Sequence, residues 1–112
     1  MTTATITTIR PKGPLTEIQF CAWVAQAMPG DRLEYHRGFL VLDTFRGLSK
    51  LGDNERTELS LLANRAAWAE GQALVHLVQV RLGPNLFSYL AIARPKTRSS
   101  SDAVTQLAAV AA

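Results

Sequence analysis

Apolar and polar positions change rhythm several times along this chain, and each change marks an element. From Leu15 the pattern is helical. Phe20, Val24, Met28, Cys21, Ala25 and Ile18 are assigned to one broad face at about 100° per residue, with Gln19 and Gln26 on the wet side. Thr16 followed three residues later by Gln19 reads as a capping box, and Leu15 with Phe20 as a hydrophobic staple. Pro29-Gly30-Asp31 ends that helix. Arg32-Leu33-Glu34-Tyr35-His36-Arg37 alternates charged and apolar residues, which predicts a short strand broken by Gly38. Phe39 to Phe45 is compatible with a buried strand or with two turns of helix, and a short helix is the better fit to its surroundings. A glycine-punctuated loop, Arg46 to Asp53, leads into a long helix from about Asn54 to Glu70. Asp53 or Asn54 is the expected cap, Leu59, Leu62, Ala63, Ala66 and Ala69 the core stripe, and Gly71 the end. Ala73–Arg81 and Leu86–Ala93 then read as two strands joined through Leu82-Gly83-Pro84-Asn85, a β-turn sequence.

The ends of the chain differ in texture. Residues 1–14 are threonine-rich and closed by Pro11-Lys12-Gly13-Pro14, so they read as a flexible arm, with Thr5-Ile6-Thr7 a weak edge-strand candidate. Residues 15–94 form the predicted domain. Residues 95–112 read as a polar linker and a short alanine-rich tail, with Val104, Leu107 and Val110 on adjoining positions of a helix too short to be stable alone.

Composition narrows the chemistry. With 112 residues the chain holds one core. A single cysteine, Cys21, excludes an internal disulfide and fits a reducing cytoplasm. No apolar run approaches the roughly 20 residues of a membrane span, so no membrane is expected as a partner. The net charge of +3 is spread along the chain without a Lys/Arg run, so a basic patch must be assembled by folding. His36 with Asp43 has the makings of acid–base chemistry but no third group, and two histidines with one cysteine lack zinc-site spacing. The expectation is a protein that is not an enzyme and needs no cofactor or metal.

Helix, short strand, short helix, long helix and β-hairpin, in that order, predict an α+β domain of the winged helix-turn-helix type; an unrelated small α+β sandwich has the same ingredients. The stretch Leu62 to Arg94, containing Leu-Ala-Asn-Arg-Ala-Ala-Trp-Ala-Glu-Gly-Gln-Ala-Leu-Val-His-Leu-Val-Gln and Tyr-Leu-Ala-Ile, resembles the recognition helix and wing of bacterial winged-helix regulators. Together with Glu34-Tyr35-His36-Arg37-Gly38-Phe39-Leu40 it is similar to small uncharacterised proteins of bacterial prophages and plasmids. The loop from Arg46 to Asp53 is longer than the tight turn of a simple helix-turn-helix. The resemblance implies a transcriptional regulator whose long helix enters the major groove of double-stranded DNA while the wing touches phosphate or the minor groove.

Two functional readings remain open. For DNA binding, Asn64 and Arg65 are the base-reading residues, Arg56, Thr57 and Ser60 are phosphate contacts, and Arg81 and Asn85 are the donors on the wing. For a protein-interaction module that modulates a host factor without touching DNA, Leu61 and Trp68 are the anchors. Acidic Glu55 and Glu58 at the start of the long helix favour this second reading. A homodimer is compatible with either.

Overall fold

Thr16 opens the first helix, α1 (Glu17–Gln26), with both halves of the capping box in place. Its hydroxyl accepts from the Gln19 N–H at 3.1 Å, and the Gln19 side chain accepts from the Thr16 N–H at 3.0 Å. The computed structural model describes residues 8–97 and 100–111. Along this span follow β1 (Thr8–Ile9), α1, β2 (Arg32–Gly38), α2 (Leu40–Thr44), α3 (Asp53–Gly71), β3 (Val75–Gly83), β4 (Leu86–Ala93) and α4 (Ser101–Ala111). These four helices and one mixed four-stranded sheet form an α+β domain.

The sheet order is β1-β2-β4-β3. β1 runs parallel to β2, with Thr8 against Arg32 and Ile9 against Leu33. The other two pairings are antiparallel. The front arm thus contributes a short edge strand at Thr8–Ile9; Thr5-Ile6-Thr7 lies outside the described residues. β2 carries a bulge at Tyr35, since Glu34 pairs with Leu90 and His36 with Tyr89. Tyr35 shares the inward parity of Leu33, and its ring lies edge-on to Phe20 at 6.2 Å between centroids, while the bulge turns His36 to the same face beside Tyr89.

One face of the sheet carries the core. Leu33, Ala91 and Leu77 lie abreast on it, and Val75 and Tyr89 share the same parity. Phe20, Cys21 and Val24 from α1, Leu59, Leu62, Ala66 and Ala69 from α3, and Ala103 and Leu107 from α4 pack against these residues. The tail is therefore a structural layer, not a free appendage: α4 docks along α1 and completes the core. Burial supplies what so short a helix lacks on its own.

Two local expectations need correction. Ile18 and Met28 were placed on the buried face of α1 but are 56% and 68% exposed. Ile18 lies about 200° round the helix from Phe20, and the helix ends at Gln26, so its wheel does not reach Met28. The cap of α3 is Gly52, with no side-chain hydrogen bond; Asp53 instead pairs with Arg56 in the first turn at 2.9 Å. Gly71 is the last residue of α3, as its sequence predicts, but it is not the left-handed one. The left-handed residue is Ala73, with φ of 60°, and the Leu74 N–H reaches back to the Ala69 carbonyl at 2.9 Å. The hairpin turn, by contrast, is as its residues require: Pro84 leads, and Asn85 takes φ of 56° in the position where such turns need a left-handed residue.

Candidate functional site

The long helix α3 has three sides. Leu59, Leu62, Ala66 and Ala69 face the core. About 180° away, at 100° per residue, lie Thr57, Ser60, Leu61, Asn64 and Trp68. Thr57, Leu61 and Asn64 are exposed, while Ser60 and Trp68 are half-buried. Trp68 packs on the core's margin. Leu61, at 44% exposure, is the large apolar residue left on this stripe.

The two arginines assigned to this stripe are already engaged. Arg65 pairs with Glu17 of α1, with Nη2 to Oε1 at 3.1 Å, and its guanidinium lies 5.2 Å from the Trp68 ring centroid. Held between a carboxylate and an indole, it is not presented as a free fork for a base edge. Arg56 is bound to Asp53, and its side chain is only 17% exposed. Asn64 and Thr57 stay open to a partner. Glu55 and Glu58 do not crowd the outward stripe: they line a cleft on the β2 side of the helix.

The hairpin carries the remaining assigned donors. Arg81 is exposed and its Nε donates to the Gly83 carbonyl at 3.3 Å, while Asn85 is exposed in the turn. These residues share one end of the sheet with the first half of α3. That half lies over Tyr35–Arg37 of β2, and Arg37 pairs with Ser88 beside the hairpin turn. Arg46 and Lys50, in the loop before α3, are also exposed.

Tyr35-His36-Arg37-Gly38 has a structural explanation. His36 Nε2 and Asp43 Oδ2 lie 2.7 Å apart, and the same oxygen accepts the Phe39 N–H at 3.0 Å. The Leu40 N–H donates to the Tyr89 hydroxyl at 3.0 Å. Together these bonds fasten the start of α2 to the sheet. Gly38 has φ of 150°, and a Cβ there would stand 2.5 Å from Asp43 Oδ2. Only glycine leaves room for the His36–Asp43 pair. Glu34 accepts from Arg37 at 2.9 Å and from the Ser88 hydroxyl at 2.5 Å. Burial pushes its carboxyl up, but the bonds from Arg37 and Ser88 and the charges of Arg37 and Arg10 outweigh this and hold it below the ordinary carboxylate value.

Beside this motif is a cleft of about 690 Å³ between the front arm, β2 and the start of α3, floored by Leu15, Tyr35, Leu59 and Leu62. Ser88 is committed to Glu34, and Cys21 is buried in the core. Burial pushes the Cys21 thiol up, Arg65 opposes this and Glu17 adds to it. Burial likewise pushes Tyr35 up to about 12, with Tyr89 and Glu70 adding to the rise. Among the described residues, no three His, Cys, Asp or Glu side chains gather at metal-ligand spacing, and no helix is long and apolar enough to cross a membrane.

One feature was missed from the sequence. The sheet face away from the helices carries Val78 and Val80, 39% and 47% exposed, beside Leu90 and Ile92. The sequence signal is that Val75 to Leu82 carries apolar residues on both parities, which does not by itself say whether one face or two are covered.

Comparison with family models, with curated proteins and with solved structures finds no match to this chain.

Proposed function

We propose that this protein is a small DNA-binding module of the winged-helix type, with the outward stripe of α3 as the groove-facing surface and the β3–β4 hairpin as the wing. The observation that carries the reading is topological. After α1, the chain makes β2, α2 and α3 and then the hairpin, and the hairpin returns so that β4 lies between β2 and β3. This arrangement leaves one side of α3 uncovered and sets the hairpin turn at the same end of the sheet as the start of that helix.

The chemistry of the stripe supports the same use. Thr57, Ser60 and Asn64 are small and polar, and an asparagine amide can pair with an adenine edge. Arg46, Lys50 and Arg81 are exposed cations on the flanking loop and wing, placed to meet phosphates. Arg65 takes a positioning role, fastening α3 to α1 through Glu17. A regulatory protein that reads DNA through so few contacts depends heavily on charge. Neutralising three phosphates implies a roughly fortyfold loss of affinity between about 50 and 200 mM salt.

A protein partner is the second reading, favoured by exposed Leu61 on the same stripe. A mobility-shift titration with random duplex DNA at the two salt concentrations separates them. DNA binding predicts a shift at low salt that fades steeply at high salt, and a loss of about 1–3 kcal/mol on a selected site for Asn64→Ala. Absence of a shift at low salt rejects the proposal and leaves the protein partner.

A further inference from the structure

We propose that the outer edge of β3 is a self-association surface, on which a second copy of the chain adds its own β3 antiparallel and about a two-fold axis at Val80. The inference stands apart from DNA binding. β3 ends the sheet among the described residues, and its nine residues contain no proline and a single formal charge, Arg81. Natural edges are usually guarded by such devices, and an unguarded one is a template for another strand.

The backbone shows which groups are on offer. The Arg94 N–H donates to the Leu74 carbonyl, so even-numbered residues of β3 hydrogen-bond inward to β4. Leu77, Gln79 and Arg81 therefore turn their N–H and C=O groups outward. One of these is taken: the Leu77 N–H donates to Glu70 Oε2 at 3.0 Å. Glu70 thus closes the edge at its start and leaves Gln79 and Arg81 open.

That pattern selects one two-fold register. An axis at Val78 or Gln79 would require the Leu77 N–H, which Glu70 holds. An axis at Arg81 would set two guanidinium-bearing residues opposite each other. An axis at Val80 does neither. Gln79 of each copy exchanges both backbone hydrogen bonds with Arg81 of the other, giving four bonds, and a Gln side chain faces an Arg. Val80 meets Val80 of the second copy in the close, non-hydrogen-bonded position. Val80 lies on the face away from the helices, where it is half exposed. The contact therefore joins the two apolar faces into one. Identical patches meeting across a two-fold are the commonest form of oligomer contact.

Sedimentation of the full chain without DNA tests this, from low to high micromolar protein. The expected result is a concentration-dependent rise to the mass of two chains. Gln79→Pro removes an outward N–H and no bond of the β3–β4 ladder, so it is expected to remain folded and monomeric throughout the range. Should Gln79→Pro lose its helical circular dichroism, Val80→Lys decides instead, because it places two ammonium groups at the axis and alters only an exposed side chain. A wild-type chain that stays monomeric, or a dimer that survives the deciding variant, overturns the proposal. A failed mobility shift would leave this result untouched.

Discussion

Leu107→Ala is expected to destabilise the domain by about 2–5 kcal/mol, the range for emptying a buried leucine site. At roughly 4–8 °C per kcal/mol for a domain of about this size, the melting temperature should fall by about 10 °C or more. Leu107 is fully buried, and Ala103, one turn before it, is 5% exposed. Both close the core over Phe20, Cys21 and Val24 of α1. The connection into α4 is fastened as well, with Lys96 Nζ donating to the Ala27 carbonyl at 2.6 Å. Thermal denaturation of Leu107→Ala beside Val110→Ala, whose side chain is partly exposed, gives the contrast. Only the first should melt early. Equal melting of both variants and the parent would mean that α4 contributes nothing to the core.

Gly38→Ala is the second large effect, expected at about 2–4 kcal/mol. Two costs combine. A non-glycine residue at positive φ is strained by roughly 1–3 kcal/mol, and the new Cβ must displace Asp43 Oδ2, 2.5 Å away, and crowd His36 Nε2 at 3.0 Å. Either the His36–Asp43 pair opens or the start of α2 shifts from the Tyr89 hydroxyl. Urea denaturation gives the free energy, and the His36 ring proton shifts report whether the pair has opened. An unchanged midpoint would show that the turn after β2 rearranges freely and that the pair is incidental.

Local signals in the chain were legible because their partners lie within a few residues. Thr16 and Gln19 are three apart, and Pro84-Asn85 makes its turn from two φ preferences. The long helix announced itself through Leu59, Leu62, Ala66 and Ala69. What escaped was decided at long range. Arg65 looks like a free recognition residue until Glu17, 48 positions earlier, is brought against it. Which side of α3 Glu55 and Glu58 occupy is likewise decided by its packing, which sets them along the cleft beside β2. The tail looks isolated because Leu107 finds its partners on α1, far back in the chain. The end of α3 at Gly71 was legible, but the left-handed residue lies two positions further on, at Ala73, where glycine is the usual occupant.

The site itself was half legible. Asn64 and Thr57 stand exposed on the helix face assigned to them, and Leu61 stands with them. Trp68 is drawn into the margin of the core, so an anchor role for it would require its release. The apolar face and open edge of β3 were not foreseen, since a run that is apolar on both parities looks the same whether one face or two are covered.

The most direct test of the account is chemical-shift mapping on isotopically labelled protein titrated with a short duplex at low salt. If α3 is the groove-facing element, the perturbed signals will centre on Thr57, Ser60, Leu61 and Asn64, with Lys50 and Arg81 at the flanks. Perturbations confined to the cleft around Tyr35–Arg37 or to the β3 edge, with the α3 stripe unmoved, would contradict it.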